Sequence, residues 1–468
     1  MEDPKRIHLI AVCGTGMGSL AGMLKKAGHR VTGSDQNIYP PMSTLLAGLG
    51  IPCREGFDPA HVPSDADLVI VGNAVSKTNP EVQEVLKRGI PYCSMPEALA
   101  RFFLEGRRSI VVAGTHGKTT TASLLAWILE TGGLDPGFMI GGWVKNFGGN
   151  HKIGKGSPFI IEGDEYDTAF FDKGPKFLHY RPHTAILTSV EFDHGDIYSD
   201  LNAVKRAFRG FVELIPKEGL LIAALEEPNV ADVAYPTACP MESYGLHPGL
   251  FWRAEALASG EVGTAFDLFR GKSRVSRFQS PLSGTHNAKN AVAVIAVALH
   301  LGVPPERIRE GLASFEGIKR RQEIIGRRGD ILVMDDFAHH PTAIDVTLKG
   351  LRARYPNRPI WAVFEPRSAT SRRNVFQTAF ASAFDGADHV VIAAPFSPEK
   401  IPVESRLDPE RLVRDLRASG KDARYLPTAD AIVSSVVPAV GAHDLIVVMS
   451  SGGFDGIHRK LLSALPGS

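Results

Sequence analysis

Residues 109–121 read Ser-Ile-Val-Val-Ala-Gly-Thr-His-Gly-Lys-Thr-Thr-Thr, and this stretch constrains the fold around it more than any other. Residues 110–113 have strand propensity, Gly114, Thr115, His116 and Gly117 form a turn, and a helical run covers residues 122–130. Strand, glycine turn and helix N-terminus converge backbone N–H groups, to which the helix dipole adds positive potential. Lys118 can reach phosphates, and the hydroxyl run beginning at Thr119 and Thr120 can hold Mg2+. The strict pattern G-x-x-x-x-G-K-[ST] fails, because Val112 stands where its first glycine belongs. A plain glycine turn with a surface lysine is the alternative. The threonines directly after Lys118 weigh against it, so a nucleoside triphosphate is expected here.

A chain of 468 residues predicts two to four domains. With 44% hydrophobic and 22% charged residues it reads as an ordinary α/β protein rather than a disordered one. A net charge of +1 offers no electrostatic case for nucleic acid or an anionic membrane. Cys13, Cys53, Cys93 and Cys239 show neither CxxC nor zinc spacing and read as reduced, buried thiols. No signal peptide or membrane-length apolar run is evident, so a cytoplasmic location is expected. The residues specify no oligomeric state.

The first 107 residues open with a strand at 7–12, the turn Gly14, Thr15, Gly16, Met17 and Gly18, a helix at 19–26, and a second strand reaching Asp35. An acidic residue at that remove from a glycine turn is where such folds contact a ribose. The spacing G-x-G-x-G is not the dinucleotide fingerprint, which argues against a hydride-transferring enzyme. A strand at 68–71 ends near Asn73. The unit reads as a holder of a nucleoside diphosphate.

In the middle, residues 159–161 lead into Glu162-Gly-Asp-Glu-Tyr-Asp167, and residues 184–190 into Glu191-Phe-Asp-His-Gly-Asp196. Carboxylates beside a triphosphate repel it unless a cation intervenes, which implies Mg2+. Histidine is a poor Mg2+ ligand, so chemistry alone ranks His194 as a base or hydrogen-bond donor. Ser283-Gly-Thr-His-Asn-Ala-Lys-Asn290 opens a long apolar helix whose start either touches nucleotide or merely caps it. Beyond Lys319-Arg-Arg321, strands at 331–334, 360–364, 390–394 and 445–449 alternate with helices, giving a third parallel α/β unit. Its strand tips carry Asp335, Asp336, His339 and His340, then Glu365-Pro-Arg-Ser368, then Ser450-Ser-Gly-Gly453.

Gly114 to Thr121, Glu162, Asp193-His194, His286-Asn287, Arg321 and Asp335-Asp336, in this order, resemble the Mur ligase family of ATP-dependent amide-forming enzymes. The shortened phosphate loop is that family's own form. The resemblance spans essentially the whole chain. It implies a Rossmann-like UDP-sugar domain at 1–107, a phosphate-loop ATPase at 108–320 and a Rossmann-like amine-substrate domain at 321–468. It further implies that Lys118 contacts the β- and γ-phosphates, and that Thr119 and Glu162 hold one Mg2+. His194 becomes a ligand of a second Mg2+, overruling the ranking above, and Asn287, Arg321 and Asp336 become ATP contacts. Some relatives carry a carbamylated lysine; Lys205 aligns too loosely to be assigned. Residues 39–46 (Tyr-Pro-Pro-Met-Ser-Thr-Leu-Leu), 165–172, 192–197, 365–368 and 451–458 are similar to the branch that recovers cell-wall peptides. That branch joins the murein tripeptide L-alanyl-γ-D-glutamyl-meso-diaminopimelate to UDP-N-acetylmuramate. Arg367 and Ser368 are then expected to face the amine substrate, though Arg367 could instead simply bridge to Glu365. The rivals are a ligase of L-alanine to the same sugar nucleotide and, from another class, a regulatory protein that uses ATP as a switch.

Overall fold

The computed structural model describes residues 4–39, 42–235 and 237–466. Residues 1–3 and the prolines at 40 and 41 within the 39–46 motif lie outside the described residues. The chain builds three sheet-centred α/β units.

The first is a Rossmann-like sheet of five parallel strands, in the order Cys53–Glu55, Arg30–Asp35, Arg6–Ile10, Leu68–Val71, Tyr92–Ser94. Alternation along Arg6–Ile10 feeds two cores. Ile7 and Leu9 pack with Leu20, Met23 and Leu24 of the helix Thr15–Lys26. Ile10 packs with Val69, Val71, Val82 and Val85 beneath the helix Pro80–Arg88. The first helix begins at Thr15, four residues before its apolar periodicity shows, because Gly14 is its N-cap. Gly18 lies so close to the neighbouring layer that a Cβ there would sit 2.9 Å from Met42 Cε.

The second unit centres on parallel strands Leu220–Ala223, Thr184–Leu187, Arg108–Ala113, Pro158–Gly163 and Gly137–Val144, adjacent in that order. Parallel strands Met241–Gly245 and Trp252–Gly260, then antiparallel strands at both ends, extend the sheet to ten among the described residues, so it is mixed rather than purely parallel. Leu124, Leu125 and Ile128 of the helix Lys118–Thr131 share one core with Ala291, Val294 and Ile295 of the helix Thr285–His300. The strand expected at 184–190 stops at Leu187. There Thr188 turns inward, its Oγ donating to the carbonyl of His116 at 2.6 Å.

The third unit has six strands ordered Glu323–Arg328, Ile331–Asp336, Leu445–Met449, Ile360–Phe364, His389–Ile392, Asp422–Tyr425. All neighbours are parallel except the edge strand Glu323–Arg328. Asp335 and Asp336, expected just past a strand, lie inside one and are buried. The linker into this unit has left-handed backbone at Arg320 (φ +63°) and Gln322 (φ +48°). Just before it, the Lys319 N–H donates to the Trp143 carbonyl at 3.0 Å, and its ammonium lies 5.1 Å from the Trp143 ring centre. Among the described residues no helix is long and apolar enough to cross a membrane. The four cysteines are free thiols.

Candidate active site

Three neighbouring strands of the central sheet deliver the chemistry, because their carboxyl ends lie side by side. Arg108–Ala113 runs into the phosphate loop, where Gly114 has φ +137° and a Cβ would fall 2.1 Å from Thr188 Oγ1. No other residue can take that conformation in that space. Gly117, at φ +82°, serves as N-cap of the helix starting at Lys118. The N–H groups of Thr115 and His116 are already given to Ser189 O and Oγ, both at 2.9 Å. The donors for phosphate are therefore those of the first helical turn, Lys118, Thr119 and Thr120, which have no intrahelical acceptor.

The Lys118 ammonium donates to Gly114 O at 2.5 Å and Glu165 Oε2 at 2.7 Å. Burial alone would lower it, but Glu165, Asp164 and Glu162 outweigh burial and hold it above its ordinary value. Glu165 uses its other oxygen on His194 Nε2 at 3.1 Å. His194, at φ +55°, follows suit: Glu165 and Asp193 outweigh burial and raise it. The Thr119 hydroxyl donates to Glu162 Oε2 at 3.0 Å, and the Gly141 N–H to Oε1 at 2.6 Å. Burial dominates at Glu162 and raises its carboxyl despite those donors, Lys118 and Arg321. A half-buried carboxylate beside a hydroxyl is a donor set that suits a hard divalent cation such as Mg2+.

The third unit closes over this floor. Burial lowers Arg321, and the charges of Asp336 and Glu162 offset only part of that; its guanidinium lies 4.9 Å from the Phe337 ring centre. Asp336 spends its oxygens on the N–H groups of Gln322 and Ala338, both at 2.8 Å. Three further bonds cross the interface. Thr342 Oγ1 donates to Glu191 Oε2 at 2.8 Å, His340 Nε2 to Phe192 O at 3.3 Å, and Thr370 Oγ1 to Asp193 Oδ1 at 2.7 Å. Glu191 also pairs with His116 of the phosphate loop at 3.2 Å.

Other expected residues fall elsewhere. Asn287 bonds Ser283 O at 2.8 Å and Asn290 at 3.2 Å, and Asn290 rather than Asn287 abuts Gly117. In the first unit Gly14, Thr15, Gly16, Met17 and Gly18 form a helix cap and first turn, with Met17 buried. Asp35 accepts from the N–H of Cys13 at 2.8 Å and of Asn37 at 3.2 Å, so it braces that turn. Asn73 sits half-buried past the neighbouring strand tip. Arg367 stacks 3.6 Å over Phe396 and reaches Glu365 at 3.5 Å, while Ser368 Oγ bonds Ser371 Oγ at 2.9 Å. Lys205 pairs with Asp232 at 3.0 Å.

Sequence reasoning did not single out Glu165, Thr188, Asn290 or Thr370. Glu165 was the findable one, since it lies in the same acidic turn as Glu162. The others act through contacts between segments distant in sequence, which no local pattern announces.

Family models match almost the whole chain: "Mur ligase family, catalytic domain" over residues 6–107, "Mur ligase middle domain" over 112–298 and "Mur ligase, glutamate ligase domain" over 320–452. The UDP-N-acetylmuramate–L-alanyl-γ-D-glutamyl-meso-2,6-diaminoheptanedioate ligase of Escherichia coli K12 is 41% identical, over 98% of each chain. The UDP-N-acetylmuramate–L-alanine ligase of Acetivibrio thermocellus is 35% identical, over 96% of this chain and 93% of its own. A crystal structure of a murein peptide ligase from Psychrobacter arcticus 273-4 superposes with a TM-score of 0.73 at 37% identity, covering 98% of both chains. Three sheets in this order, a phosphate loop with glycines three apart and relatives aligned end to end agree: the chain belongs to the Mur ligase family.

Proposed function

We propose that this protein is an ATP-dependent ligase that joins L-alanyl-γ-D-glutamyl-meso-diaminopimelate to UDP-N-acetylmuramate, in the cytoplasm, as a step of peptidoglycan recycling. The observation that carries the reading is the floor of the central site. Lys118 is held between Gly114 and Glu165 at a helix N-terminus, with Thr119 and Glu162 in contact beside it. We assign 1–107 to the sugar nucleotide, 108–320 to ATP and 321–468 to the amine, in keeping with one large sheet in each span.

A carboxylate that attacks the γ-phosphate of ATP meets strong charge repulsion. Lys118 and the N–H groups of the first helical turn are placed to neutralise and orient the phosphates. Thr119 and Glu162 would hold Mg2+, with His194 and Glu165 lining a second position. Bound there, Mg2+ supplies further positive charge to the transferring phosphoryl group. The resulting acyl phosphate is attacked by the neutral amine, phosphate leaves and an amide remains. Glu191, Phe192 and Asp193, each bonded to the third unit, keep that unit down on the site and water out while the acyl phosphate exists. Arg367 and Ser368 stand on that unit as the residues we assign to the peptide.

Mass spectrometry of products formed from ATP, UDP-N-acetylmuramate and a panel of amines tests the reading. The tripeptide adduct should dominate in direct competition with free L-alanine, with one ADP released per amide. A dominant L-alanine adduct would assign the chain to the biosynthetic reaction. ADP release without any amide would indicate a switch.

A further inference from the structure

We propose that His116, Glu191 and His340 form a binding site for one borderline divalent transition-metal ion, Zn2+ being the probe of choice, that clips the third unit to the phosphate loop. The site is separate from the Thr119–Glu162 position assigned to Mg2+ and does not depend on the reaction proposed above. The ligand atoms of the three residues all lie within 4.8 Å of one another. His116 Nε2 is 3.2 Å and His340 Nδ1 3.7 Å from the same Glu191 oxygen. Tetrahedral zinc with ligands at about 2.0–2.1 Å spaces its ligand atoms about 3.3–3.4 Å apart, between those two distances.

The hydrogen bonds around His340 set it up as a ligand. Its Nε2 faces only the carbonyl of Phe192, at 3.3 Å, and so must carry the proton. Nδ1 is then the acceptor nitrogen: it takes the Thr342 N–H at 3.3 Å and stands 3.7 Å from a Glu191 carboxylate oxygen. Two acceptors face each other, an arrangement a cation between them relieves. An imidazole whose outer nitrogen donates to a backbone carbonyl is the usual support of a metal-bound histidine. The Thr342 hydroxyl, on Glu191 at 2.8 Å, would steady the carboxylate in the same way. Two imidazole nitrogens and one carboxylate favour Zn2+ over Mg2+, which prefers oxygen throughout. The rings of His116 and His340 already lie 4.7 Å apart, so modest side-chain motion closes the site.

The ligands come from the phosphate loop, the tip beyond Thr184–Leu187 and the residue capping the helix Pro341–Arg354 of the third unit. Undocking that unit would remove one ligand of three. Zinc and docking must therefore favour one another to the same degree.

The test is Zn2+ titration of the full chain by calorimetry, without ATP or Mg2+, on the parent and on Glu191→Gln, His340→Gln and Cys13→Ser/Cys53→Ser. The cysteine pair is the control because its sulfurs lie 4.0 Å apart and could bind zinc themselves. One equivalent should bind, at least about tenfold more weakly in each of the Glu191 and His340 variants and unchanged in the cysteine variant. Thermal melting checks that each variant is folded. Anomalous diffraction at the zinc edge from soaked parent crystals, a readout indifferent to variant folding, should place the ion between the three side chains. Absence of binding by the parent, equal binding by the Glu191 and His340 variants, or an anomalous peak elsewhere would each overturn the proposal.

Discussion

Lys118 carries the heaviest electrostatic duty of any single side chain, and its contacts are made by its own loop and by Glu165. Lys118→Ala should abolish ligation, while calorimetry should show UDP-N-acetylmuramate binding unchanged, because the sugar nucleotide is assigned to another sheet. Loss of both affinities together would refute that division. Arg367 is held on one side by Phe396 and Glu365, which orients its planar fork, and a Cβ at Gly452 would collide with its Nε. Lysine cannot reproduce a two-pronged grip on a peptide carboxylate. Arg367→Lys should therefore weaken kcat/KM for the tripeptide by about 1.5–3 kcal/mol and leave the KM values of ATP and the sugar nucleotide in place. Parent-level activity would reduce Arg367 to the partner of Glu365 that the sequence also allowed. At this scale the sequence was informative wherever a residue type has few uses: two glycines three apart, the second followed by a lysine and a threonine, announce a phosphate loop. It pointed to the acidic turn but did not separate Glu165 from the other acids there, and only the fold sets it against Lys118.

Helices and strands were legible in kind and misjudged at their ends, for one recurring reason. Apolar periodicity begins only where an element meets the core, so both key helices start earlier than their patterns, at Thr15 and Lys118. Those first turns are the parts we assign to the ligands. Strand Thr184–Leu187 errs the other way: its apolar run continues to Val190, but Thr188 leaves the ladder to bond the phosphate loop. Contacts between elements were not legible at all. One joins helix Thr15–Lys26 to strand Gly149–Lys152 through the buried pair Ser19–Asn150, with His151 against Gly22. Burial and then Lys26 push the His151 imidazole down to about 4, and its Nε2 has no hydrogen-bond partner among the described residues. The unfolded chain takes up that proton near pH 6.5, so stability is full above 6.5 and falls as pH drops through it. By pH 5 this group should cost about 2 kcal/mol. Thermal melts at pH 7 and pH 5 should show a smaller acid loss in His151→Asn than in the parent. Equal losses would clear His151 of the role.

At the scale of the molecule, the third unit is docked, and its grip on the segment after Leu187 links the loop carrying Thr370 to the phosphate loop. Thr370→Val deletes the bond to Asp193, a buried carboxylate that His194 and His339 hold well below its usual range against burial. An underpaired buried acid costs about 1–3 kcal/mol, which should loosen docking. Small-angle scattering should show a larger radius of gyration, and tripeptide turnover should fall. A compact, fully active variant would mean docking rests on other contacts. No sequence pattern foretold this closure, because it joins residues 177 apart in the chain. The linker that must bend for it to open follows directly on Lys319, whose ammonium lies over the Trp143 indole and whose N–H donates to the Trp143 carbonyl. An ammonium over the ring shifts the energy of the indole excited state. The molecule thus contains its own optical gauge, and emission from Trp143, isolated by replacing the other three tryptophans with phenylalanine, would follow each opening and closing in real time without an added dye.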